Sequence, residues 1–346
     1  MPHTHKRLPA VWLFVLAAVA MVLVTLLYLS SGVLATSLGE TLAAITSGVR
    51  GESAAQVQLI VWEIRFPRAM TCLVTGALLS VCGALTQGLF RNPLADPGLI
   101  GVASGSALGA ALAIFLLGTL LDPSYNFVIL PLSAFAGGSL VTWIVYRIGL
   151  SVSGNILVSM LLAGVAINAL AAAAIHYISY LSDDGLLRNI TFWLMGSLSA
   201  VGWRDFAVLS AVLALLLFCI PRLSVPLNAL LLGESEARHL GFSVDRLRMV
   251  VVTLVALGVG TSVAFVGVVG FVGLVVPHCV RMLIGPDHRV LLWGSAMLGG
   301  LFVLLADWLA RTLVVPAELP LGIVTAVVGG PFFIFLIITR SREAGL

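Results

Sequence analysis

Few residues in this chain have types and spacing that could do chemistry, and they gather at a handful of places. The densest is Leu230–Gly241, LLLGESEARHLG, a polar island between two long apolar runs. Glu234 and Arg238 stand four apart there, with Glu236 and His239 beside them, so a helical turn or two would present a charged face above Leu231, Leu232 and Leu240. Such a face suits a grip by another protein, and equally a solvated loop. Arg65, Arg68 and Arg311 form a second group, whose guanidinium forks can receive carboxylates from a soluble partner or lipid phosphates. His176 sits in the apolar run AIHYISY with Tyr177 and Tyr180. A lone histidine there is either hydrogen-bonded structure or a contact for a bulky, aromatic or metal-bearing cargo. Asp307 stands four residues before Arg311, the spacing of a helix-end ion pair. His278, after Pro277 with Arg281 a turn on, reads as a cap or a headgroup contact.

What is absent narrows the chemistry further. Lys6 is the single lysine, so neither a GxxxxGK[ST] phosphate loop nor a Schiff-base lysine exists. HExxH and GxSxG are missing too. Cys72, Cys82, Cys219 and Cys279 lie in or beside apolar runs without a CxxC pair; they read as packing residues, and no metal site is legible. No string of intramembrane carboxylates offers a proton relay, which argues against an ion-coupled carrier, and no nucleophile–base pair supports an intramembrane enzyme. Any uphill transport must therefore draw on another subunit.

The elements that position these residues are membrane spans. The 346 residues are 60% hydrophobic and 10% charged, with mean hydropathy +1.14, against roughly 25% charged in soluble domains. The net charge of +3 gives no ground for a nucleic-acid partner. His3, His5, Lys6 and Arg7 precede an apolar run, Leu8–Leu29, of spanning length. Residues 31–66 are mixed and polar and are placed outside. Further spans fall at about 68–90, 99–120, 127–149, 155–181, 205–222, 249–267, 270–284, 289–310 and 321–339. Prolines break the chain in RNPLADPG, Arg91–Gly98, placed as a cytoplasmic turn. Gly101, Gly105 and Gly109 form a small-residue stripe for close helix contact. Ile190–Leu198 is too short to cross and predicts an external re-entrant helix at about 189–199. Ten spans put both termini in the cytoplasm. Twelve of the 18 basic residues then fall inside; Arg50, Arg65, Arg68, Arg188, Arg204 and Arg311 fall outside, as the positive-inside bias requires.

Several motifs, in order, resemble one family. They are IRFPR (Ile64–Arg68), GALLSVCGALTQ (Gly76–Gln87), RNPLADPGLIG, LLGESEARHLG, GFVGLVVPHCVR (Gly270–Arg281), LLADWLAR (Leu304–Arg311) and AELPLGIVTAVVGGPFF (Ala317–Phe333). Together they are similar to the FecCD/BtuC-type permeases of ABC importers for vitamin B12, ferric siderophores and haem. The resemblance implies an all-α polytopic membrane protein of about ten transmembrane helices with the type II importer fold, one permease domain over 1–346. It implies a homodimer in a bacterial inner membrane, two ATP-binding-cassette subunits carrying Mg-ATP, and a periplasmic or surface substrate-binding protein; the chain itself binds no cofactor and catalyses nothing. Gly233, Glu234, Glu236, Ala237, Arg238 and Gly241, within a cytoplasmic segment 225–248, would form two short helices seated in the ATPase. Arg65, Arg68 and Arg311 match docking arginines. Asn92 and Leu94 match an inner gate completed at Leu157 and Val158, where this chain is greasier than the family pattern. The outer stretch Ser182–Ala200 and His176 with its tyrosines lean toward haem, with ferric siderophore and cobalamin as alternatives.

Overall fold

The computed structural model describes residues 9–32, 37–46, 52–120, 126–152 and 155–343. The basic segment His3–Arg7 and Arg50 lie outside them. All regular structure among the described residues is helical: α1 Ala10–Ser30, α2 Leu38–Ile45, α3 Glu52–Leu59, α4 Phe66–Leu89, α5 Val102–Leu120, α6 Asn126–Ser151, α7 Ile156–Leu181, α8 Asp184–Leu194, α9 Trp203–Leu230, α10 Glu234–His239, α11 Val244–Val266, α12 Val272–Ile284, α13 His288–Thr312 and α14 Leu321–Glu343. Seven helices among the described residues are long and apolar enough to cross a membrane, and three shorter apolar ones, in α5, α12 and α14, make up the ten expected.

α4 is the axis of the bundle. Nearly all its residues are buried against α9, α11, α12 and α13. Small residues allow this. A Cβ on Gly76 would lie 2.0 Å from the Gly299 carbonyl oxygen, and one on Gly83 would lie 1.8 Å from that of Gly273. Backbones meet there as they do at small-residue crossings in lipid. The expected Gly105 and Gly109 stripe does the same between α5 and α6: their added Cβ atoms would stand 2.6 and 2.2 Å from the carbonyl oxygens of Gly137 and Ser133. Two threonines on α4 are satisfied locally. Thr71 and Thr86 donate to the carbonyls of Pro67 and Cys82, one turn back, at 2.7 and 2.8 Å.

Four features differ from the sequence expectations. The second span starts much earlier than residue 68: α3 runs into α4 through a π-helical turn, Ile60–Arg65, because Pro67 falls in the first turn of α4, where its missing N–H costs nothing. RNPLADPG is not a simple surface turn. Its end folds into the bundle as a 3₁₀ turn, Pro97–Ile100, where the Gly98 carbonyl accepts from the side-chain amide of Asn168, midway along α7. α12, expected as a full span, has 13 residues, about 20 Å of helix against a hydrocarbon core of about 30 Å. It starts beside Gly83, six residues before the end of α4. Finally, the short helix expected at 189–199 is Asp184–Leu194, capped by the Asp183 side chain. The extended chain after it roofs the end of α11 and the start of α14. Ser197 N donates to the Val266 carbonyl, and Leu321 N and Gly322 N donate to those of Gly196 and Met195. The non-helical backbone here keeps its hydrogen bonds within the protein.

Candidate partner interfaces and transport path

At one end of the bundle the three arginines converge, but not at the surface. The end of α1, the π turn before α4 and the end of α13 bring Tyr28, Arg65, Arg68, Asp307 and Arg311 together. Arg65 and Arg68 are only 3% and 6% exposed. Arg68 grips Asp307 with a two-pronged fork, Nε to Oδ2 and Nη2 to Oδ1, both at 2.9 Å, and Tyr28 donates to the same carboxylate at 2.5 Å. The third nitrogen of Arg68, Nη1, meets Glu318 at 2.9 Å. Arg65 donates to the Leu29 carbonyl at 2.7 Å, tying α1 to the π turn. Arg311 lies over the Tyr28 ring at 4.7 Å and donates to the Ser31 carbonyl at 3.3 Å.

The expected Asp307–Arg311 pair is therefore replaced by Asp307–Arg68. A buried carboxylate needs a geometry that satisfies both oxygens, and the Arg68 fork across the α4–α13 crossing supplies one. Surface exposure of Arg65 and Arg68 is likewise corrected: both are buried, and both donate to partners inside the protein. Tyr28 and Glu318 escaped notice in the sequence, although Glu318 lies in the AELP motif.

At the opposite end, α10 is one six-residue helix, not two short helices. After Gly241 the chain turns at Ser243 straight into α11. Gly233 and Gly241 have φ of +126° and +88°, the left-handed region that favours glycine, so the two glycines fix where the helix enters and leaves. Ala237 is buried against the bundle, and the charged side chains face outward. Glu234 and Arg238 do not pair with each other. Arg248, 1% exposed on α11, takes Glu234 at 3.2 Å and Asp245 at 2.9 Å, while Arg238 meets Asp245 at 3.1 Å. The network Glu234–Arg248–Asp245–Arg238 fastens α10 to α11. Sequence reading missed Arg248, whose one signal is its position three after Asp245 on a helix. Glu236 and His239 are exposed.

The gate residues divide. Asn92 is exposed and its side chain accepts from Leu94 N at 3.0 Å, holding the turn that carries both. Val158 is 51% exposed, but Leu157 is buried; the Asn155 side chain caps α7 through the N–H groups of both, and successive side chains on a helix point about 100° apart. Leu157 thus packs in the core rather than facing a path. One stripe of α7 is open: Val158, Leu162, Val165, His176, Tyr177 and Tyr180 are all exposed. His176 shares its face with Tyr180, four residues on, which is 84% exposed. His278, expected as a cap or headgroup contact, is buried at 4% exposure. Cys72 and Cys82 are buried and all four cysteines are unpaired with one another. Among the described residues, no group of three or more His, Cys, Asp or Glu is placed to hold a metal ion.

This arrangement has counterparts. The FecCD transport family matches residues 18–339. The chain belongs to that family. It is 45% identical over 286 residues to the hemin transport system permease protein HmuU of Yersinia pestis, covering 82% of this chain and 84% of that one. It is 40% identical over 334 residues to the vitamin B12 import system permease protein BtuC of Salmonella typhimurium, covering 96% of each. Among solved structures, a metal-chelate type ABC transporter in an inward-facing conformation superposes with a TM-score of 0.78 at 32% identity, over 94% of this chain and 98% of that one. PsaBC from Streptococcus pneumoniae, at 18% identity and a TM-score of 0.58, shares the fold alone. As a FecCD protein, the chain is a multi-pass membrane permease subunit of an ABC importer and not a catalytic enzyme.

Proposed function

We propose that this FecCD permease imports an iron complex, haem foremost, by alternating access driven by ATPase subunits. The observation that carries the cargo reading is His176 on the open face of α7, flanked by the exposed rings of Tyr177 and Tyr180. Imidazole and phenol groups suit an iron porphyrin, whose metal accepts nitrogen ligands and whose flat ring stacks on aromatics. The 45% identity to a hemin permease agrees with this. The second reading is a ferric siderophore or cobalamin, supported by the 96% coverage of the vitamin B12 permease.

Two copies pair around the path, an arrangement supported by apolar stripes left open on α7 and α14, including Leu162, Leu170, Val327 and Ile334. Asn92, Leu94 and Val158 close the inner end; an apolar constriction there closes by dewetting. α10, with Gly233, Glu234, Glu236, Ala237, Arg238 and Gly241, seats in a Mg-ATP-binding ATPase subunit on the cytoplasmic side of a bacterial inner membrane, where both termini also lie. The arginine cluster faces the binding protein, which reaches Arg68 and Arg311 along the edge where Glu318 sits; Arg65 backs them.

The test is selective uptake. In vesicles holding the complete importer, His176→Ala is expected to slow haem uptake by about tenfold or more, the loss of one good contact in the path, and to leave siderophore uptake near its original rate. Equal losses for both cargoes would make His176 structural.

A further inference from the structure

We infer that Glu318 is a place-holder: it occupies the arginine edge that an acidic side chain of the binding protein takes on docking, and must swing out for docking to complete. The inference rests on the docking reading above and adds to it an internal competitor.

Three observations carry it. First, the two carboxylates in the cluster are held very differently. Asp307 is 2% exposed in its side chain, bound by two arms of Arg68 and by Tyr28. Glu318 is 40% exposed in its side chain, touches only Nη1 of Arg68 at hydrogen-bond distance, and lies 4.0 Å from Arg311 Nε. A side chain that exposed, held by one arm of an arginine, exchanges readily with solvent or with another carboxylate. Second, the cluster has an unfilled donor: Nη1 of Arg311 is buried without a hydrogen-bond acceptor among the described residues. An unfilled guanidinium donor is costly in the interior, and one more carboxylate would fill it. Third, the Glu318 loop does not depend on its carboxylate. Leu319 N donates to the Ala310 carbonyl at 3.0 Å, and Leu321 N to that of Gly196 at 2.9 Å. The loop also lifts Leu313, Val314 and Val315 into the open, 62%, 47% and 57% exposed, beside the charged edge. An apolar tip next to an unfilled cation is the surface that an acidic residue with an apolar neighbour fits.

Because Glu318 repels an arriving carboxylate and blocks its site, removing its charge should strengthen docking. The experiment measures the affinity of the purified binding protein of this importer for the permease–ATPase complex in nanodiscs at low salt, where such pairs are strongest. Glu318→Gln is expected to bind about fivefold tighter, the scale of one partly exposed ion pair. Glu318→Asp, which keeps the charge, should stay near the unaltered affinity, and Arg311→Gln should bind more weakly. If Glu318→Gln binds no tighter while Arg311→Gln binds more weakly, docking uses the arginines but the place-holder idea is overturned. If neither change moves the affinity, the docking reading falls, and this inference with it.

Discussion

A permease carrying Glu234→Ala and Arg238→Ala is expected to lose at least roughly nine-tenths of its uptake, while remaining folded and keeping its ATPase subunits through purification. α10 has six residues and little hold of its own; Ala237 is its buried anchor. What ties it to the long helix α11 is the chain of ions through Arg248, which is 2% exposed in its side chain and bridges Glu234 and Asp245. Breaking a buried charge pair by removing one partner costs about 3–5 kcal/mol in favourable geometry. Here Asp245 remains, so the cost is smaller, but the link that turns a push on α10 into a tilt of α11 is gone. Arg248→Met tests the same link from its centre, and should match the double variant in uptake while leaving α10 itself, and ATPase co-purification, intact. Undiminished uptake in both variants would remove α10 from the coupling path.

The second large effect is on stability. Asp307→Asn should lower the unfolding free energy by about 3–5 kcal/mol, because it strands the Arg68 cation in the bundle with a partly exposed partner. A combined Tyr28→Phe, Arg68→Met, Asp307→Leu variant removes every polar member of that trio and should recover most of the loss, since apolar groups of similar size often replace a buried ion pair at little cost. Thermal unfolding of the purified variants reads both. A single variant as stable as the original would mean the Arg68–Asp307 fork is not buried as described.

These effects fall where sequence reading was weakest. The number of membrane helices and the small-residue crossing of α5 and α6 were legible, because spanning length and glycine spacing are local properties. The position of α10 was legible as well, since LLGESEARHLG interrupts two apolar runs. Partnerships were not. Asp307 sits four from Arg311 and Glu234 four from Arg238, and helix spacing proposes both pairs. The bundle overrides both, because Arg68 on α4 and Arg248 on α11 reach those carboxylates with better burial and geometry. The half-length of α12 was hidden for a related reason. Its apolar composition is that of a span, and only the fold shows that the helix has 13 residues and begins where Gly273 meets Gly83. Leu157 and Val158 show the limit on one helix: adjacent residues of like composition point to core and to open face.

In the proposed function this subunit provides a path and a handle while ATP is hydrolysed by another chain. The most direct measurement is accumulation of an iron chelate by sealed vesicles holding the purified permease alone, compared with vesicles that also hold its ATPase subunits, binding protein and Mg-ATP. Accumulation is expected in the second set and none above equilibration in the first. Uphill accumulation by the permease alone, without nucleotide, would contradict it.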